Sequence, residues 1–390
     1  MWLIASAAYL ALLSFTDLWF FLYLALVLKA DPVTLGIASS GWSLLFIASN
    51  LVFGKLVERG YNKSAAFISS VLLCLSTYVI TNSEDIVVVV AAYSLLHAIS
   101  TSLGRVAANV TLLEYVEYES WSKYNYLFNY ITLIARGLLL IAGYLNYLTT
   151  TSFLLLTIAI STIFSIALPQ ILIPLERTLF KLSKRLDKVY GYVKFTSILP
   201  ELLEDRLNAS RALEIRWETG KELPTYRPLL GAFTIVTFSD ALFILVPTLI
   251  SSYIGSKGTL LVYGLSSIAS AAALAVISRI STRGTRTTLA SGIARSIIIP
   301  SILSISSVEY AIAYILSTAV LFNIFNTSNY DSYINSTAGQ RAFLYGVAVE
   351  LGSAVGSLIG GVVASYCGIE YVVAASAIGH VLASIIASYP

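Results

Sequence analysis

Apolar runs of about 20 residues, each long enough to cross a bilayer as a helix, recur along the whole chain. The pattern predicts twelve spans, at 3–28, 34–57, 64–81, 86–112, 124–147, 151–173, 228–251, 258–279, 287–306, 309–334, 340–365 and 369–388. Polar residues gather between the runs and do not alternate within them, which argues against a transmembrane β-barrel. The fourth span opens with Ile86-Val-Val-Val-Val90 and ends in polar residues. The tenth is the weakest, because Asn323, Asn326, Asn329 and Asp331 crowd its second half. The expected fold is an all-α polytopic membrane protein.

Composition agrees. Of 390 residues, 57% are hydrophobic and only 12% charged, with a mean hydropathy of +0.81. A soluble domain carries about 25% charged residues, and no soluble core could bury this many apolar helices. Cys74 falls inside an apolar span and Cys367 in the short junction between the last two, so no disulfide framework is indicated. The first apolar run is too long for a signal peptide and lacks a basic leader and a cleavage site, so it reads as helix 1.

Charge placement changes the picture further. Nineteen of the twenty-four Lys and Arg residues fall on one side: after helices 2 and 8, at the starts of helices 5 and 11, and in the segment between helices 6 and 7. Cytoplasmic loops carry this excess, so both termini are expected to be cytoplasmic. The basic residues form no single face of the kind that nucleic acid requires. Within the central segment, Leu179, Leu182, Leu186 and Val189 keep helical spacing beside Lys181, Lys184, Arg185 and Lys188. A second pattern runs from Leu199 to Trp217, and both read as amphipathic helices at the inner membrane surface. The organisation is therefore a first bundle (1–173), a connector (174–227) and a second bundle (228–390).

Asp17 interrupts a first helix that is otherwise uncharged from Leu3 to Leu28. A carboxylate in hydrocarbon is costly, which makes it a functional-site candidate. It also recurs. Phe15-Thr-Asp17 aligns with Phe238-Ser-Asp240 at an offset of 223, and Lys55-Leu-Val-Glu-Arg-Gly60 aligns with Arg279-Ile-Ser-Thr-Arg-Gly284 at almost the same one. At 217, Glu114 falls on Asp331, Leu127 on Leu344 and Gly143 on Gly360. A repeat of six helices puts both halves in the same orientation, with a site expected near midplane at their interface. Asp17 and Asp240 each lie about a dozen residues into their helices, near mid-bilayer at 1.5 Å per residue.

With these motifs the chain resembles a major facilitator superfamily transporter over essentially its whole length. The family signature between helices 2 and 3 is matched by Gly54-Lys-Leu-Val-Glu-Arg-Gly-Tyr-Asn-Lys63, with Glu58 in the acidic place, Arg59 beside it and the turn glycine at Gly60. The second copy keeps Arg279, Arg283 and Gly284, with Thr282 in place of the acid. Glu114 at the helix 4–5 junction, and Asp331 and Arg341 in the second half, extend the match. The resemblance implies two pseudo-symmetric six-helix bundles and a cytoplasmic latch of inner-face ion pairs. That latch would include Gly54, Glu58, Arg59, Gly60, Lys63, Arg105, Glu114, Arg279, Arg283, Gly284, Asp331 and Arg341. One departure is clear: the family's early helix 4 arginine is missing, and that region reads Tyr93-Ser-Leu-Leu-His97.

The resemblance also places helix 1 near helix 5 and helix 7 near helix 11. Asp17 is then expected to pair with Arg136, and Asp240 to lie near Glu350; two adjacent carboxylates favour a shared proton. His97 joins these as a coupling or substrate candidate. Arg295 lies close enough to the inner end of helix 9 to snorkel, and Arg105 is expected to pair with Glu114 or Glu58. Trp19, Tyr23, Asn109, Asn323, Asn326 and Tyr330 are candidates for the cavity wall on helices 1, 4 and 10. Gly352, Gly356 and Gly360 form a small-residue face for close helix packing.

The expected function is secondary active transport of a small polar or cationic organic solute, with proton or cation coupling. The chain is expected to act as a monomer in the plasma membrane, with no cofactor, no metal site and no nucleic-acid partner. The alternatives are a non-transporting membrane sensor or assembly subunit with this fold, or a passive facilitator. No nucleophile–base set supports an enzyme, and no P-loop supports direct ATP drive.

Overall fold

The computed structural model describes residues 1–116, 118–145, 150–171, 226–277, 285–337 and 342–388. The chain falls into two compact units, Met1–Gln170 together with Tyr226–Pro390, and Ile171–Thr225. The amphipathic helices expected between Leu179 and Trp217 lie outside the described residues.

Among the described residues the regular structure is helical throughout. In chain order we label α1 (Trp2–Leu22, continued by a π-helical turn Tyr23–Val27), α2 (Pro32–Leu56) and α3 (Asn62–Asn82). Next, α4 runs through Ile86–Ala91, a π-helical Ala92–His97 and Ala98–Tyr115. Then come α5 (Tyr118–Tyr144), α6 (Thr150–Ala167), α7 (Tyr226–Phe243) and α8 (Val246–Ile277). Last are α9 (Thr285–Ile298, continued by a 3-10 turn Ile299–Ser304), α10 (Val308–Thr337), α11 (Ala342–Tyr366) and α12 (Ile369–Ser388).

Two acidic residues that stand between apolar runs prove to be helix caps. Asp31 accepts a hydrogen bond from the Thr34 amide at 3.2 Å, with Pro32 at the first helical position. Asp85 accepts from the Val87 amide at 2.8 Å and the Val88 amide at 3.4 Å. Both satisfy donors that a helix start leaves unpaired.

Eleven stretches of the described residues are long and apolar enough to cross a membrane. Ten coincide with expected spans. The eleventh, Tyr226–Ala273, is 48 residues long and covers the expected spans 228–251 and 258–279 together. As one straight helix it would measure about 72 Å, more than twice the hydrocarbon thickness. It is not straight. The backbone turns at 244–245, between α7 and α8, just ahead of Pro247, which has no amide hydrogen to continue the ladder. It breaks again at Gly255, whose φ of 73° is a conformation glycine adopts without a Cβ clash.

Close packing follows the glycines. In α11, a Cβ on Gly352 would lie 2.5 Å from the carbonyl oxygen of Phe233 in α7, and Gly356 and Gly360 sit closer still to those of Thr237 and Ala241. The expected small-residue face is therefore the seat of α7. Two further contacts join the first six helices to the last six. In one, Gly36 of α2 rests against the Ser357 carbonyl and Gly361 of α11 against that of Pro32. In the other, Gly137 of α5 and Gly264 of α8 face each other's carbonyls. Gly54, late in α2, and Gly346, early in α11, face open space. The glycine-mediated approach of α2 to α11 is thus at the Pro32 end.

Replacing Gly356 with leucine should destabilise the purified protein by about 1–3 kcal/mol, because α7 must move away. Gly346→Ala should leave its melting temperature unchanged or slightly raised. Thermal unfolding in detergent reads both. Equal melting of Gly356→Leu and the wild type would show that the α7–α11 contact is not close-packed.

Candidate functional site

The carboxylate of α1 finds its partner on α4. Asp17 Oδ1 lies 2.7 Å from Nε2 of His97, whose side chain is fully buried. Tyr93 donates its hydroxyl to the same oxygen at 3.3 Å. Both partners belong to the π-helical stretch of α4, whose wider turn stacks their rings at 5.4 Å and 21°. Phe20 stacks on the other side of Tyr93, with centroids 3.6 Å apart. The expected pairing of Asp17 with Arg136 is replaced by this one. Arg136 lies within range of the Asp17 charge, but its Nε has no hydrogen-bond partner.

The second half arranges its charges differently. Asp240 stands one turn before the break in α7, and Ile244 reaches back to its carbonyl oxygen only at 3.4 Å. Arg295 of α9 faces it and does not snorkel to the helix end. Its Nη1 donates to Ser239 Oγ at 2.6 Å and to His380 Nε2 at 2.8 Å. Since arginine can only donate, that histidine nitrogen accepts, and Nδ1–H donates to the Ser376 carbonyl at 2.6 Å. His380 is therefore held as the neutral Nδ1–H tautomer. The Arg295 guanidinium also sits 4.6 Å over the Phe322 ring.

Glu350 of α11 lies within range of the Asp240 charge, as expected, and also of Asp17 and Arg105. Serines link it to its neighbours. Ser43 of α2 interacts with Glu350 and Ser353 of α11 with Asp240, and Ser43 donates to Ser353 at 3.1 Å. One turn further along, Ser39 and Ser357 are 2.8 Å apart. Arg105 belongs to this interior region, with its guanidinium 5.5 Å over the Phe46 ring.

These groups surround one cavity of about 460 Å³, the size of a small-molecule site. Asp17 and Asp240 both line it, so the repeated carboxylates share one space. Phe21 and Phe243, each one turn beyond its aspartate, meet edge to face at 6.4 Å. Three guanidiniums, of Arg105, Arg136 and Arg295, line the cavity against those two carboxylates. That balance departs from the acid-and-amide wall expected for a cationic solute. Among the described residues no group of three or more His, Cys, Asp or Glu could hold a metal ion.

Other candidates fall elsewhere. Of the six expected wall residues, Asn323 lines the cavity. Trp19 stacks on Tyr23 at 5.4 Å and packs on Phe153 of α6, while Tyr23 donates to the Ser83 carbonyl at 3.0 Å. Both point into the first six helices, because they occupy the opposite side of α1 from Asp17. Asn109 is exposed. Asn326 accepts from Tyr345 at 2.7 Å and Tyr330 packs on the same ring, forming a cluster between α10 and α11. The cavity instead takes its aromatic wall from Trp42, Tyr93, Tyr263 and Tyr314.

Of the latch residues, Gly60 makes the α2–α3 turn with φ 103°, and Gln170 donates to its carbonyl. Asn62 fixes the same turn through Thr111 at 2.9 Å and the Pro169 carbonyl at 2.8 Å. Arg59 and Lys63 are exposed, and Glu114 is half-buried. Arg279, Arg283, Gly284 and Arg341, and the side chains of Glu58 and Asp331, lie outside the described residues.

The described helices make a polytopic membrane protein that encloses a charged cavity. The chain belongs to the Major Facilitator Superfamily, whose family model matches residues 2–349. It is thus a multi-pass protein of the cell membrane with a transport-related function, and not an enzyme. No curated protein matches it significantly.

The His97–Asp17 contact is testable as a pair. A double-mutant cycle with His97→Gln and Asp17→Asn, read by thermal or chemical unfolding, should give a coupling of about 1–3 kcal/mol, the value of a charge-assisted bond out of water. Additive effects would show that the two side chains do not act together.

Proposed function

We propose that the protein is a secondary active transporter that carries a small polar organic solute by alternating access. In this reading twelve crossings form two six-helix halves, 1–173 and 228–390, with 174–227 as a cytoplasmic connector and both termini inside. Gly255 then divides the 48-residue run into the seventh and eighth crossings. The observation that carries the reading is the cavity itself. Its wall is drawn from both halves, and each half contributes one intramembrane carboxylate.

The Pro32 end of α2 lies outside under this topology, so the close contacts at Gly36, Ser39 and Gly361 seal the outer face. The conformation is inward-facing. The cytoplasmic latch around Glu58 and Arg59 then forms in the opposite, outward-facing state. Asp240 and Glu350, one on each of two packed helices, are the proposed proton-coupling pair. A proton on one of them relieves like-charge repulsion, and its release on the other side of the membrane drives the cycle.

Cysteines at positions 39 and 357, in a variant lacking Cys74 and Cys367, test the cycle directly. The native hydroxyls are 2.8 Å apart, so a disulfide should form readily and hold α2 against α11. Counterflow in liposomes should stop on oxidation and return on reduction. An imposed pH gradient should drive solute accumulation in the wild type and fail to do so in Glu350→Gln. Unimpaired counterflow in the cross-linked protein would sink alternating access at this interface, and indifference to the pH gradient would sink proton coupling.

A further inference from the structure

Among the described residues, four that line the cavity each hold a buried polar atom with no hydrogen-bond partner: Trp42 Nε1, Arg136 Nε, the Tyr263 hydroxyl and Arg295 Nε. Every one of them carries a hydrogen to donate. Two come from the first six helices, α2 and α5, and two from the last six, α8 and α9. A buried donor without an acceptor is costly, by about 1–3 kcal/mol each, and four converging on one space is far from chance placement. The acceptors of the same cavity are already engaged. Asp17 takes hydrogens from His97 and Tyr93, and Asp240 is served by Ser353 and the charge of Arg295. Three of the four unsatisfied groups can only donate, and the fourth, the Tyr263 hydroxyl, can donate or accept.

We infer that the transported solute is a small organic anion, carrying a carboxylate or phosphate group that these four donors bind. The inference rests on reading this cavity as the solute site. An arginine Nε–H together with one Nη–H forms the two-pronged fork that matches such a group, and two such forks, one from each half, front the cavity. The guanidiniums of Arg105, Arg136 and Arg295 exceed the carboxylates of Asp17 and Asp240 by one, so an anion also balances the wall. Glu350 lies nearby and adds to that balance only when ionised. An anion held between α5 and α9 would touch both halves at once, which is what lets a solute bias their relative movement.

Thermal unfolding of the full-length purified protein tests this with succinate, benzoate and glycerol phosphate as anions, choline and tetraethylammonium as cations, and sucrose as a neutral probe. A ligand that binds the native state at free concentration L stabilises it by RT ln(1 + L/Kd), and so raises the melting temperature as L exceeds Kd. At least one anion should stabilise the wild type, and Arg136→Lys and Arg295→Lys should each weaken it about tenfold or more, since each keeps the charge but removes the fork. Should either variant not fold, Trp42→Phe keeps the ring and removes one donor, and should weaken the same anion severalfold. Stabilisation by cations or sucrose only, by nothing in the set, or by an anion indifferent to all these substitutions overturns the inference. Counterflow of a cation without anion binding would overturn it and leave the transporter reading intact. Anion binding without any counterflow would uphold the anion site but sink the transporter reading, and with it the claim that the anion is transported.

Discussion

Asp17 can remain inside the first helix because His97 comes to within 2.7 Å of it, and much of the surrounding backbone is arranged so that this is possible. In hydrocarbon, a charge without a partner in the protein has none at all. A regular α4 would set its side chains 100° apart, as its 3.6-residue turn requires. Tyr93 and His97, four positions apart, share one face of the helix, and from the π-helical stretch Ala92–His97 both reach one carboxylate oxygen. Phe20 then stacks on Tyr93, and Phe21 is left to meet Phe243 from the other half. The aromatic layer beyond the cavity is thus assembled around one buried hydrogen-bonded pair.

The two halves share a scaffold and differ in chemistry. Both place an aspartate midway along their first helix and both aspartates line the cavity. In the first half the partner is a histidine on the fourth helix. In the second it is Arg295 on α9, itself fixed by Ser239 and a neutral His380. Duplication preserves what packing needs, since a helix-facing pattern tolerates few changes. It leaves the partner of each charge free to come from any neighbouring helix. A repeated sequence pattern can therefore carry two carboxylates whose surroundings differ.

This divergence also explains how much was legible in the sequence. The helices were, because twenty apolar residues in a row permit little else, and so was the convergence of Asp17 and Asp240, because their alignment survives duplication. The glycines of α11 were legible too, from their four-residue spacing. The partners were not. Assigning Arg136 to Asp17 rested on the adjacency of helices 1 and 5 that the family resemblance implies, whereas the contacts of Asp17 come from His97 and Tyr93 of α4. Trp19 and Tyr23 sit two and six residues from Asp17, and the rotation of α1 carries them toward α6 and α3. With 25 tyrosines in the chain, nothing marked Tyr93, Tyr263 and Tyr314 from the rest. Only three-dimensional packing decides which aromatic faces the cavity.

The α2–α11 contact connects the packed end of the molecule to its charges by a continuous series of steps. Gly36 and Gly361 meet backbone to backbone, Ser39 and Ser357 follow at 2.8 Å, and Ser43 and Ser353 at 3.1 Å. The last two serines are also the polar neighbours of Glu350 and Asp240. Parting α2 from α11 must break the Ser43–Ser353 bond and take Ser43 away from Glu350, while Ser353 stays beside Asp240 on the packed α7–α11 pair. The donors offered to Glu350 then differ between the closed and the open arrangement. By linkage, whatever changes the charge on that carboxylate must shift the balance between those arrangements by the same free energy. In hydrocarbon, where water cannot make good a lost donor, a single hydroxyl is enough to make that exchange matter.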